Sequence, residues 1–96
     1  MFLITITIKS NQVPSDQADD LLTKHRAWFK EQFDKGYFKI IGPLKDRGMA
    51  GIVIAKVDTR DELDTLIAKD AYYPDYATYD VVEFKANLVA TDIAED

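Results

Sequence analysis

The sequence predicts an α+β domain in which strands and helices follow the order β-α-β-β-α-β. Three observations carry that expectation. The opening run FLITITI alternates bulky apolar residues with smaller ones, Ala18 to Phe33 repeats apolar residues at spacings of three and four, and Thr59 and Glu62 have capping-box spacing ahead of a second helical pattern.

Taken in order, Phe2, Ile4, Ile6 and Ile8 fall on one side of a first strand, with Leu3, Thr5 and Thr7 on the other. Pro14 and Ser15 follow, Ser15 as an N-cap, and Asp16, Asp19 and Asp20 sit near the positive end of the coming helix dipole. Ala18, Leu21, Leu22, His25, Trp28, Phe29 and Phe33 then mark one face of a helix that Gly36 ends. Tyr37 to Gly42 reads as a short second strand and Met49 to Val57 as a longer third, joined by the turn-like GPLKDRG. A second helix spans Asp61 to about Lys69, with Leu63, Leu66 and Ile67 inward. After YYPDYA, the run TYDVVEFKA alternates again as a fourth strand. This order is the split-βαβ, or ferredoxin-like, arrangement: a four-stranded antiparallel sheet with both helices on one face. Its other face would stand bare, presenting Leu3, Val53 or its neighbours, and Val82 and Phe84 or their alternates. A half-apolar surface of that size finds cover, and a second copy of the chain is the economical cover.

Composition narrows the function. The 96 residues suit one domain, residues 1–96, with a single modest core. A net charge of −5 disfavours nucleic acid as a partner, because phosphate binding depends on Lys and Arg. The absence of cysteine excludes disulfides, thiolate chemistry and cysteine-ligated zinc, and it fits a reducing compartment. MFLITITIKS lacks the basic start and cleavage site of an export signal and is too short to span a bilayer, so a soluble cytoplasmic protein is expected, with no membrane association.

The chain has a single histidine, and it stands where helical spacing calls for an apolar side chain. Alone, such a histidine reads as a partnered core residue. A nearby carboxylate changes that, since it fixes the tautomer through one ring nitrogen and leaves the other free for proton transfer. Asp70 is the first candidate: at the end of the second helix the dipole disfavours an acid unless something else holds it. Asp75 beside Pro74 is an alternative acid that turn chemistry also explains. Trp28, Tyr72, Tyr73 and Tyr76 are candidates to line a pocket for a planar ligand, although packing in a small core is the more common role of such aromatics. Lys24, Arg26 and Arg47 read as solvated surface with a capacity to attract anions. Gly42, Gly48 and Gly51 flank a hairpin and read as turn and packing glycines, not as a phosphate loop. One histidine with scattered acids gives no metal signature, and no cofactor is expected.

Several of these features occur together in one known family. A first-helix histidine (His25), a strand ending in Gly42 and Pro43, the glycine-containing GMAGIVIA, a helix opening with acids, Asp70 with an aromatic two places on (Tyr72), and the closing YDVVEFKA all match in order. In these respects the chain resembles the YciI-like proteins from its first strand to about Phe84. It carries Ala71 where family members commonly have proline, and Leu22 where they often have a basic residue. The resemblance implies a dimeric α+β barrel built from two ferredoxin-like subunits, a homodimer or a higher oligomer, with a His-Asp pair that maps to His25 and Asp70. DAYYPDY also resembles the closing part of muconolactone isomerases, which share that dimeric fold.

What the resemblance implies is a small cofactor-independent enzyme, an isomerase or a lyase of the dehydrohalogenase type, acting on a small organic acid or ring-derived metabolite. Two alternatives stand beside it: a non-catalytic domain whose cleft holds a small metabolite, and a cofactor-independent monooxygenase. At the C-terminus, Leu88 and Val89 are expected to clasp a partner subunit and Asp92 to Asp96 to fray.

Overall fold

A computed structural model describes residues 1–95 of the chain. The alternating opening run forms β1 (Phe2–Ile8), followed by a short 3-10 turn (Ser10–Gln12) and α1 (Ala18–Asp34). Strands β2 (Phe38–Pro43) and β3 (Ala50–Ala55), helix α2 (Arg60–Ile67) and strand β4 (Ala77–Glu83) complete the order β-α-β-β-α-β. The sheet runs β2-β3-β1-β4, and every neighbouring pair is antiparallel. This is the ferredoxin-like α+β arrangement that the pattern of elements predicts.

Register decides which side chains meet the helices. Ile4 lies opposite Val53 on one side and Val81 on the other, while Phe2 faces Ala55 and Ile8 faces Ala77. This set packs with Trp28, Leu63, Leu66 and Ile67 in one core beneath α1 and α2. A bulge between Phe38 and Ile40 turns Phe38 and Ile41 both toward that core and sends Ile40 to the opposite face. Val53 is therefore a core residue, fully buried, and of the two alternatives that the strand pattern leaves open its neighbours are the ones on the bare face. Its neighbours Ile52 and Ile54 pair across the sheet with Thr5 and Leu3 and lie on the open side. Val82, 50% exposed, and Ile40 share that open side, so an apolar surface is left uncovered by the chain's own helices.

Two expectations about α1 are corrected. Ser15 is not the cap: residues 15–17 form a turn, α1 starts at Ala18, and Gln17 stands at the N-cap position without a side-chain cap bond. Asp19 and Asp20 do occupy the first turn. Phe33 is 53% exposed, and Gln32 is buried in its place. At about 100° per residue, Gln32 falls roughly 20° from the direction of His25 and Phe33 roughly 80° away, outside the stripe that meets the sheet. Neither amide atom of Gln32 meets a partner among the described residues, which costs roughly 1–3 kcal/mol. Gly36, at φ 85°, ends the helix region where a side chain would be strained.

The second helix follows its sequence signals more closely. Thr59 accepts a hydrogen bond from the Glu62 amide at 3.1 Å, and the Glu62 carboxylate reaches back to the Asp58 amide instead of that of Thr59. Beyond Glu83 the described residues, 84–95, form no helix or strand. Leu88 is 95% exposed, while Val89 and Ile93 border a cleft of about 710 Å³ together with Ile40 and Ile54. Asp96, the last residue of the segment expected to fray, lies outside the described residues.

Candidate active site

His25 enters the core because its position on α1 faces the sheet, and its ring is enclosed by aromatics on three sides. Phe29, one turn on, meets it edge to face at 4.4 Å between centroids, Tyr72 lies at 4.8 Å and Trp28 at 5.8 Å. Such surroundings disfavour a charged ring unless a counter-charge is close. Asp70 supplies one: His25 Nδ1 lies 2.6 Å from Asp70 Oδ1, with the Asp70 side chain fully buried.

Local structure explains how an acid 45 residues away arrives there. α2 ends at Ile67, and the chain then turns, with the Asp70 amide donating to the Ile67 carbonyl and the Tyr73 amide to the Asp70 carbonyl. Trp28 Nε1 donates to the Leu66 carbonyl at 2.9 Å and so ties the middle of α1 to the last turn of α2. The two helices are thereby held in the relation that puts Asp70 against His25.

A third residue completes the cluster. Tyr79, on the helix-facing side of β4, donates its hydroxyl to Asp70 Oδ2 at 2.6 Å. Each carboxylate oxygen thus has its own partner, which fixes the group in rotation. Tyr79 was not singled out from sequence, although an aromatic with a polar tip on the core face of a strand calls for a partner. Burial, followed by donation to the Asp70 carboxylate and its charge, pushes the Tyr79 phenol well above the ordinary tyrosine range. Burial and the same carboxylate push Tyr72 upward too, with Arg26 opposing.

The His25 edge away from Asp70 is the one that can meet a ligand. His25 borders a cleft of about 360 Å³, walled by Ile6, Ile8 and Leu22, by Phe29, and by the β2–β3 hairpin from Ile41 to Pro43 and Gly48 to Gly51. Asp70 does not border it. The arrangement presents Nε2, which has no partner among the described residues, while Nδ1 is engaged behind. In the hairpin wall a Cβ at Gly51 would come within 3.1 Å of the Gly42 carbonyl oxygen, so the close approach of the two strands favours glycine there.

The structure brings His25 and Asp70 into direct contact and distributes the remaining candidates around them. Trp28 and Tyr72 are buried beside the His25 ring but do not border the cleft, and Tyr76 packs against the core near the start of β4. Asp75 is exposed in the turn. Arg26 does border the cleft; Lys24 pairs with Asp20 on the surface. No group of three or more potential metal ligands occurs among the described residues.

The raised Tyr79 value has a consequence for stability. An ordinary tyrosine ionises near pH 10.0 in the unfolded chain but resists ionisation in the folded one, so its contribution is whole below that pH and is lost as pH rises above it. Urea unfolding between pH 9 and about 11.5 is expected to show stability falling more steeply in the native protein than in Tyr79→Phe. Equal slopes would contradict the buried donation to Asp70.

A family model for the YCII-related domain matches residues 1–85. No curated protein matches the chain. Among solved structures, the chain is similar to the 5-chloro-2-hydroxyhydroquinone dehydrochlorinase of Burkholderia phenoliruptrix AC1100 in complex with 2,5-dihydroxybenzoquinone. The TM-score is 0.63 at 15% identity, over 88% of this chain and 94% of that one. That likeness establishes the shared fold. With its matched span running from the first strand through the last, the chain belongs to the YCII-related domain family.

Proposed function

We propose that the chain is a small enzyme that needs no cofactor and moves a proton at an activated carbon of a small organic substrate, as an isomerase or as a lyase of the dehydrohalogenase type. The observation that carries this reading is the His25–Asp70 bond at the wall of an apolar cleft. With Asp70 accepting from Nδ1, the neutral ring bears its lone pair on Nε2, the geometry of a general base aimed at a bound ligand. The cleft's lining is apolar apart from His25 and Arg26, so a bound ligand would displace water from the ring and favour proton transfer to a fixed acceptor over exchange with solvent. The protonated ring that results is stabilised by the Asp70 carboxylate, and it can return the proton elsewhere on the substrate or to a leaving group. Dehydrochlorination, the reaction named for the structural neighbour, belongs to this class and supports the reading.

The reading includes a homodimer. Leu3, Ile40, Ile52, Ile54 and Val82 form an apolar surface that α1 and α2 do not reach, and a second copy laid on it would give the α+β barrel of the resemblance. Val89 borders the cleft that Ile40 and Ile54 line, and with the exposed Leu88 it would extend the contact onto the partner. A soluble cytoplasmic setting fits, and among the described residues no helix is long and apolar enough to cross a membrane.

Two measurements test the proposal. A panel of lactones, halogenated hydroquinones and unsaturated acids, incubated with the protein in D2O and followed by NMR, is expected to include a compound that gains deuterium or loses halide. His25→Gln is expected to slow that reaction by about a hundredfold or more. No turnover across the panel, or an unchanged rate in the variant, would overturn the catalytic reading. Sedimentation equilibrium at micromolar concentration is expected to return twice the mass of one chain, and Val82→Glu to shift it toward the monomer; a monomeric native protein would refute the dimer.

A further inference from the structure

We infer that Arg26 is the anchor for a negatively charged substituent of the ligand, so that the cleft selects small apolar monoanions, a ring or short chain bearing one carboxylate, over neutral compounds of the same shape. The inference rests on the reading of His25 as the base of this cleft.

Four observations lead to it. First, the side chains that border the cleft are apolar apart from His25 and Arg26, and Arg26 is the one that carries a permanent charge. Second, the other cations of α1 are occupied. Lys24 pairs with Asp20 at 3.0 Å, and Lys30 pairs with Asp34 at 2.9 Å; Arg26 has no ion-pair or hydrogen-bond partner among the described residues. Third, Arg26 borders the same cleft as His25, and its charge is felt at Tyr72, whose ring lies 4.8 Å from that of the histidine. Fourth, the chain as a whole carries −5, so a positive group at the cleft runs against the field of the rest of the molecule.

The chemistry of the base makes the anchor useful. An anionic ligand with no cation of its own would seat its charge on the imidazole, pair with the protonated ring and occupy the base. A guanidinium at the rim gives that charge a separate partner and leaves Nε2 facing the ligand's carbon framework. The same geometry argues against phosphate esters and polyanions. One guanidinium is present, and the lining holds no second cation. At about 360 Å³ the cleft is also at the small end of ligand sites.

The test uses benzoate as the anionic probe and benzamide as its neutral counterpart, titrated into the native protein and into Arg26→Gln and Arg26→Lys. The lone histidine and the Met49 methyl report the cleft by NMR without ambiguity from other histidines. Benzoate is expected to shift both signals in the native protein, to bind about fivefold or more weakly to Arg26→Gln at low salt, and to recover part of that loss in Arg26→Lys. Benzamide is expected to bind the native protein more weakly than benzoate and to be indifferent to both substitutions. Equal benzoate affinity in Arg26→Gln, benzamide binding as tight as benzoate, or no benzoate-dependent shift at the cleft in the native protein would each overturn the inference. Benzoate binding reads Arg26 and deuterium incorporation reads His25, so the anchor and the base fail independently.

Discussion

A carboxylate with no exposed surface sets the terms for this fold. The oxygens of a buried carboxylate need hydrogen-bond partners, and two elements far apart in sequence supply them to Asp70: His25 from α1 at 2.6 Å and Tyr79 from β4 at 2.6 Å. Removing either donor would strand part of a buried charge, which is the costly way to break such a pair. The arrangement therefore ties α1, the turn after α2 and β4 together at one point. The Trp28–Leu66 bond nearby fixes the helix spacing that this point requires.

From that constraint the cleft follows. Asp70 engages Nδ1 and does not border the cleft, whereas His25 does, between α1 and the β2–β3 hairpin, and its second nitrogen has no partner among the described residues. In the hairpin wall a Cβ at Gly51 would come within 3.1 Å of the Gly42 carbonyl oxygen, so the close approach of the two strands favours glycine there. Apolar walls and one ionisable ring make a site suited to a single proton movement. The surface ion pairs of α1 and α2 are all exposed i, i+4 pairs and contribute little to either stability or chemistry.

Much of this was legible in the chain because the governing signals are local and periodic. The alternation of FLITITI, the capping pair Thr59 and Glu62 and the glycine after α1 each mark an element that the structure contains. Pairing His25 with Asp70 came from a different kind of signal, an ionisable residue on an apolar face and an acid at the wrong end of a helix, each needing a partner. What was not legible depends on angles and registers that the pattern leaves open. Phe33 and Gln32 differ by one helical step, and the apolar residue is the one the step turns outward. Val53 and its neighbours differ by one strand residue, which decides between core and open face. Tyr79 joins the site only through the register of β4 against β1, and the packing of Trp28 and Tyr72 against the histidine ring depends on the same tertiary arrangement.

The central claim is that Asp70 fixes the proton of His25 on Nδ1 and leaves Nε2 as the base. Long-range nitrogen-proton correlation NMR on the single imidazole reads this directly, since the two ring nitrogens of a neutral histidine have separate shifts for the protonated and unprotonated states. At alkaline pH, with the ring neutral, the native protein is predicted to show the Nδ1–H tautomer almost alone, and Asp70→Ala to shift the ring toward the Nε2–H form that free histidine favours. A native ring found mainly as the Nε2–H tautomer would contradict the account.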